Sequence, residues 1–395
     1  MSTANGVRPH SATHSARPHS ATPKFRQVYM ALWREIHSGR LKKGERLPSE
    51  AELVRTFGAS RITVGRAVRD LQRDGLVERR AGSGTYVSTA RPLAALSFGL
   101  LIPDLGETEI FEPVCLGMMA SPLAHNHALV WGSPSAPSTS PSDRAWRICR
   151  QYVDRRVAGV FFAPLEFASD QDDVNQRIAD ALDAAGIPVV LLDRTITPYP
   201  RRGCHDLVGI DNRRAGHAIT EHLLRLGSRR VAFVGMPNAA PTVDAREAGY
   251  REALYAAGLD IDRALIRRLD PASTADVDAF MKSARPDAIV SANDRTAGKL
   301  MQVLLRLGHA IPRNVRMVGI DDVEFASLLP VPLTTLRQPT REIGDAALGA
   351  MLQRVARKDL PARDILLDCR LVVRESCGAL EVPRVPGVPE GSERS

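Results

Sequence analysis

The sequence predicts an α/β protein: a two-lobed body of doubly wound parallel sheets behind a small, basic, mainly helical N-terminal domain. Three observations carry this. Short apolar runs alternate with helix-spaced segments over about 280 residues. A capping box, a glycine turn and a Gly-rich hairpin follow one another within residues 24–88. The positive charge is concentrated in that same segment, which holds 14 Lys and Arg against 7 Asp and Glu.

The body's runs lie at 97–102, 157–163, 187–193, 230–235, 287–292 and 315–321. Each has the length of a buried strand, and most lead into a helical pattern. In 215–226 the residues Ile219, Leu223, Leu224 and Leu226 mark one apolar face, and in 297–307 Leu300, Met301, Leu304 and Leu305 do so. Strands alternating with helices give parallel sheets covered on both faces, and ligands then bind at the strands' carboxyl ends, usually between lobes. The expected boundaries are an arm at 1–23, the head at 24–88, a linker at 89–96, the body at 97–375 and a tail at 376–395. Arm and tail are Ser/Pro/His-rich and Pro/Gly/Glu-rich respectively, and both read as disordered.

Composition narrows the function. The chain has 395 residues, 44% hydrophobic and 25% charged, with a net charge of +8. No run approaches a membrane span, and residues 1–23 lack a signal peptide's hydrophobic core, so a cytoplasmic protein with no membrane partner is expected. Five cysteines (Cys115, Cys149, Cys204, Cys369, Cys377) are scattered without a C-x-x-C pair, so reduced thiols are expected and neither a disulfide framework nor a metal site. The arm's H-x3-H spacing has no further ligands and is not read as a metal site either. A basic head on a neutral body points to a polyanion such as DNA.

In the head, 25–36 is an amphipathic helix. Ser49 and Glu52 form a capping box that starts a second helix, ending near Phe57-Gly58. Ser60 is placed to cap a third, whose Val64, Ala67, Val68 and Leu71 share a buried face while Arg61, Arg66, Arg69 and Arg73 lie opposite. Two short helices about a Gly-containing turn predict a helix-turn-helix, the second helix entering the major groove. Residues 76–87 then read as a hairpin with its Gly-rich tip beside Arg79 and Arg80. Arg61 at the helix start is expected to contact DNA, and Arg69 and Arg73 are balanced between phosphate contact and a solvated face.

The run LPSEAEL…FGASRITVGRAVRDLQRDGLVERRAGSGTYV resembles the DNA-binding head of the GntR family. The resemblance implies that Ser60, Arg61, Thr63 and Gly82, Ser83 and Gly84 contact double-stranded operator DNA; Ser49, Arg66 and Arg69 complete the candidate surface. Ala51 and Gly65 stand where that family usually, or often, has arginine, which implies a different operator sequence.

The body resembles the sensor of LacI/GalR regulators, with the type I periplasmic-binding-protein-like fold, over about residues 96–375. The carrying motifs are VGIDN at 208–212, RRVAFVG at 229–235, SAND at 291–294, MVGIDD at 317–322 and PLTTLRQ at 332–338; residues 107–142 match weakly. The pairing of these two domains is similar to that of arabinose repressors. It implies that Asp193, Arg246, Asn293 and Asp321 contact a small effector, a monosaccharide, with Phe111 and Phe162 at less certain positions where core packing competes. Asp211-Asn212 reads as a helix cap. The aromatic expected near 271–273 to stack on a sugar is missing. The implied protein is a homodimeric repressor on an inverted repeat, without cofactor and not an enzyme. An extracytoplasmic sugar-binding protein and a GntR-headed pyridoxal-phosphate enzyme-like regulator are the alternatives. No phosphate-binding loop, nucleophile elbow or H-E-x-x-H is present.

Overall fold

A computed structural model describes residues 24–37, 39–73, 75–80, 82–88, 95–102, 109–124, 127–132 and 140–380. The expected arm, most of the expected linker and residues 381–395 lie outside the described residues. The chain divides into two compact units, 1–94 and 95–395.

In the first unit, α1 (Lys24–His37), α2 (Glu50–Phe57) and α3 (Arg61–Arg73) precede a hairpin of β1 (Val77–Arg80) and β2 (Gly84–Val87). Its core is Val28, Leu32, Trp33, Leu53, Val64, Ala67, Val68 and Leu71, closed by Val77 and Val87 of the hairpin. Those two valines face each other in the antiparallel register. The spacing of the apolar residues in α3 is therefore what binds it to α1 and α2.

The body holds two six-stranded sheets. The first runs in the order β13-β7-β6-β5-β3-β4, with β3 (Ser97–Leu101), β4 (Ala128–Trp131), β5 (Gly159–Phe162), β6 (Val189–Leu192), β7 (Asp206–Ile210) and β13 (Asp364–Leu367), all parallel. The helices α4 (Phe111–Ala120), α5 (Pro141–Asp154), α6 (Gln171–Ala184) and α11 (Thr340–Ala356) pack on it. The second sheet runs β14-β12-β11-β10-β8-β9. Its strands are β8 (Val231–Gly235), β9 (Ile266–Arg268), β10 (Ala288–Ser291), β11 (Arg316–Asp321), β12 (Thr334–Arg337) and the antiparallel edge β14 (Arg370–Val372). The helices α7 (Asn212–Arg225), α8 (Pro241–Ala256), α9 (Thr274–Ala284) and α10 (Asp294–Arg306) pack on it.

The chain crosses between lobes three times, from β7 to α7, from β12 to α11 and from β13 to β14. Each lobe thus contains segments from both halves of the body, a topology that lets two sheets share one cleft. The inner strands are almost wholly buried, as parallel sheets covered on both faces require, while the edge strands β4, β9, β13 and β14 are partly exposed. Phe98 and Phe161 meet edge to face, 5.9 Å apart at 66°, and burying each such ring contributes about 2–3 kcal/mol.

Two helix pairs cross at glycines. A methyl on Gly216 of α7 would overlap the Arg246 carbonyl of α8, and one on Gly344 of α11 would overlap the Val114 carbonyl of α4. At the C-terminus the expected boundary needs correction. Ser376 and Cys377 are fully buried in the second lobe. Ser376 Oγ donates to the Met317 carbonyl at 2.7 Å and accepts from Thr334 N at 2.8 Å. These satisfied polar contacts carry the body past 375, into what composition alone assigns to the tail.

Candidate DNA interface and effector cleft

The head's candidate interface is built by local hydrogen bonding. Ser49 N donates to Glu52 Oε2 at 2.7 Å, and Glu52 N donates to Ser49 Oγ at 3.2 Å. The reciprocal capping box holds the Glu52 carboxyl below its ordinary range, through the Ser49 side chain first and its backbone N–H second. Gly58 then takes a left-handed φ of +55° that ends α2, and Lys24 Nζ donates to its carbonyl at 2.9 Å. Ser60 Oγ accepts from Thr63 N at 3.2 Å, so Ser60 caps α3 and Thr63 Oγ1 lies 2.8 Å from the same hydroxyl.

Arg61, Arg66 and Arg69 are exposed on α3. The Arg66 guanidinium stacks over the Phe25 ring at 3.9 Å, which ties this candidate to α1. Sequence reasoning missed Ile62, which is 81% exposed between Arg61 and Thr63. An exposed β-branched residue there is unexplained by packing and suits a thymine methyl. At the wing, Gly82 and Gly84 have φ of +71° and +126°. A Cβ on Gly84 would lie 2.8 Å from Arg46 Nε, a contact that a shift of that side chain would relieve, so it is the positive φ that calls for glycine in this turn. Ser83 Oγ pairs with Tyr86 OH at 2.6 Å. Arg80 packs over the Tyr86 ring and bonds Glu78, and both Arg79 and Arg80 are exposed on that strand.

The body's cleft lies at the carboxyl ends of both sheets. Asp193 follows β6, Glu166 lies beyond β5, Asp321 ends β11, and Arg246 projects from α8. Arg246 Nε donates to Asn212 Oδ1 at 2.8 Å, its Nη1 donates to the Ala292 carbonyl at 2.6 Å, and its Nη2 lies 3.5 Å from Asp321 Oδ1. Gln338 Nε2 donates to Asp321 Oδ1 at 2.7 Å. Arg194 Nη1 pairs with Glu166 at 2.7 Å, and Arg194 Nε lies 3.3 Å from Asp193 Oδ2 without hydrogen-bond geometry. The Arg194 guanidinium also sits 5.4 Å from the centre of the Phe111 ring.

Burial perturbs these groups. Desolvation pushes Asp321 up to about 7, against the pull of Arg246. It also raises Asp193, opposed by Arg194 and Arg246. For Arg194 burial works against the charge, but Glu166 and Asp193 outweigh it and raise its pKa. Behind Asp321, desolvation pushes the Asp294 carboxyl up to about 6, although Thr335 Oγ1 donates to it at 2.7 Å. Asp193, Asp321 and Asp322 have φ of +67°, +128° and +57°. Aspartate tolerates such backbone better than most residues, and strain of this kind gathers at ligand sites. Among the described residues, Asp193 Oδ1, Arg194 Nε and Ser291 Oγ are buried without a hydrogen-bond partner. Two contacts join the lobes at the cleft's edge: Phe167 N donates to the Asn238 carbonyl at 2.8 Å, and Ala240 N donates to Glu166 Oε2 at 3.4 Å.

The structure therefore brings Asp193, Arg246 and Asp321 together. Asn293 is beside them in the fold but spends its Oδ1 as the cap of α10, accepting from Thr296 N at 2.8 Å. Phe111 borders the cluster. Phe162 does not: its ring is fully buried among Tyr152, Ile178 and Leu191, which corrects its placement as a sugar-facing side chain. Alternation along β5 turns it into the layer beneath α5 and α6. Asp211 does cap α7, accepting from Arg214 N at 3.0 Å, but Asn212 is the partner of Arg246. Glu166, Arg194, Asn212 and Gln338 are cleft residues that the sequence reading missed. Arg194 follows Asp193 directly and Gln338 follows β12, so strand-end position was the available signal.

Comparison with known proteins agrees with this architecture. Residues 24–87 match the gntR family of bacterial regulatory proteins, and residues 220–377 match the periplasmic binding protein-like domain. The arabinose metabolism transcriptional repressor of Geobacillus stearothermophilus is 26% identical over 90% of this chain and 97% of its own length. The solved transcription regulator GntR of Chromobacterium violaceum is 29% identical, with a TM-score of 0.56, over 71% of this chain and 99% of that one. A solved complex of the transcriptional regulator CelR with cellobiose shares the fold at 22% identity and a TM-score of 0.61, covering 89% of this chain and 98% of that one. The chain thus carries a gntR-type head at residues 24–87 and, behind it, a body that matches the periplasmic binding protein-like domain over residues 220–377.

Proposed function

We propose that this protein is a DNA-binding transcriptional repressor whose operator affinity is set by a small neutral sugar held in the cleft. The observation that carries the reading is the buried cluster of Glu166, Asp193, Arg194, Arg246 and Asp321, with donor and acceptor atoms left without partners. Buried polar atoms are costly unless paired, and a polyol supplies both hydroxyl donors and acceptors. Arginine and carboxylate side chains each engage vicinal hydroxyls in pairs. Arg194 and Arg246 already face the acidic side chains of Glu166, Asp193 and Asp321, which leaves little unpaired positive charge for a phosphorylated sugar. The named arabinose repressor and the cellobiose complex support a sugar-responsive class. Ser49, Ser60, Arg61, Thr63, Arg66, Arg69 and the wing at 82–84 form the DNA surface, in a homodimer reading an inverted repeat. Ligand shifts the protein between two states only by its differential affinity for them.

A thermal-shift screen of monosaccharides, sugar phosphates and nucleosides tests the cleft, and a salt titration of operator binding tests the head. Selective stabilisation by a neutral sugar and a steep loss of binding with salt are expected. Stabilisation by a nucleoside alone overturns the sugar reading, and salt-independent DNA binding overturns the regulator reading. Among the described residues no helix is long and apolar enough to cross a membrane.

A further inference from the structure

We propose that Asp183, Cys204 and His205 form a binding site for a thiophilic divalent cation, zinc by their donor set. The three side chains lie on the first lobe, at the end of the sheet opposite the cleft. Asp183 is in the last turn of α6, and Cys204 and His205 immediately precede β7. His205 Nε2 is 3.1 Å from each oxygen of the Asp183 carboxylate. Cys204 Sγ is 3.7 Å from His205 Nδ1 and 3.8 Å from Nε2. One ligand atom from each residue falls within 4.8 Å of the others. With ordinary zinc bond lengths, a tetrahedral ion separates such atoms by about 3.4–3.6 Å. Adjustments of a few tenths of an ångström at the ring, and somewhat more between thiol and carboxylate, complete the site.

Chemistry and electrostatics agree. Thiolate, imidazole and carboxylate together are a borderline-soft set that selects zinc over magnesium or calcium. Three protein ligands leave a fourth position for water. The last turn of α6 carries Asp183 and no basic residue, so the carboxylate faces the negative end of the helix dipole, and a cation there offsets both. The imidazole is already seated, with its side chain only 11% exposed. Independent contacts hold the two segments in place: Arg202 pairs with Asp364 at 3.0 Å, and Lys358 Nζ donates to the Gly186 carbonyl at 3.1 Å. On binding, Cys204 loses its proton to solvent. The ion then joins α6 to the end of the 193–205 loop, whose first residues are the cleft's Asp193 and Arg194.

The test is titration of the metal-stripped full chain with Co2+, followed by displacement with Zn2+. One equivalent of Co2+ giving a thiolate-to-cobalt charge-transfer band, bleached by Zn2+, is expected. Cys204→Ser abolishes the band, and Asp183→Asn weakens Co2+ binding about tenfold or more. Both side chains are exposed, and unchanged circular dichroism checks that the variants fold. The histidines of residues 1–23 have no cysteine beside them, so cobalt bound there gives no charge-transfer band. Absence of the band, or its survival in Cys204→Ser, overturns the proposal.

Discussion

Replacing Arg246 with methionine separates the cleft's structural and ligand-binding roles. Methionine keeps much of the packed stem and removes the charge and all the donors. Three groups then lose a partner: Asn212 Oδ1, the Ala292 carbonyl and the Asp321 carboxylate. Breaking a buried ion pair from one side costs about 3–5 kcal/mol. Here part of that is relieved, because Asp321 already sits at about 7 and takes up a proton near neutrality at small cost. The expected loss is therefore about 2–4 kcal/mol. For a body of this size, about 2 °C per kcal/mol places the fall in its thermal midpoint at about 4–8 °C. Because the head is a separate compact unit, operator binding without effector is retained, while effector-induced stabilisation and the effector's influence on operator affinity are lost. Differential scanning calorimetry with and without sugar, paired with a gel shift, reads both. A midpoint within about 1 °C of wild type, or an undiminished sugar response, refutes the reasoning.

Arg61→Ala lowers affinity for the specific operator about tenfold or more, and Ile62→Ala relaxes discrimination at a single base position; wild-type gel-shift behaviour of both refutes the assigned face. Burial raises Asp321 from the ordinary 3.8 to about 7, so the folded protein keeps a proton that the unfolded chain releases in that window. The stability this proton provides is present at low pH and fades as pH rises through about 7. Asp321→Asn accordingly flattens the decline of the ligand-free midpoint between about pH 4 and pH 7, and an unchanged slope assigns the decline to other groups. Gly216→Val forces α8 away from α7 at the Arg246 backbone, costing about 1–3 kcal/mol or more and weakening sugar binding in the same variant. Urea denaturation that matches wild type counts against the glycine crossing.

The head was legible in the sequence because its determinants are local. The Ser49–Glu52 box, the Ser60 cap, the left-handed Gly58 and the wing glycines each act over three or four residues, and the structure contains all of them. The apolar face of α3 follows from its 3.6-residue period. In the body, the six strongest apolar runs became strands. The edge strands at 266–268 and 364–367 did not announce themselves, since they are short and carry charged residues, and 128–131, although apolar throughout, is only four residues long. Buried Ser376 and Cys377 fell on the wrong side of a compositional boundary for a related reason. Their burial depends on β11 and β12, more than 35 residues earlier in the chain.

For the cleft, sequence alone placed Asp193 and Asp321 at strand ends and Arg246 in the helix that follows a strand, and the family resemblance marked all three as effector contacts. Only the tertiary structure decided their partners. Asn212 meets Arg246 because α7 and α8 touch at Gly216 and Gly249. Glu166 pairs with Arg194 because β5 and β6 are neighbours in the sheet. Phe162 leaves the cleft because its strand parity points it into the core, and Asp183 reaches Cys204 and His205 across 20 intervening residues. The division has one physical origin. Caps, turns and periodicity are fixed by interactions along a few residues of backbone. A binding site is fixed by contacts between distant segments, whose approach depends on sheet order and on the space left between helices.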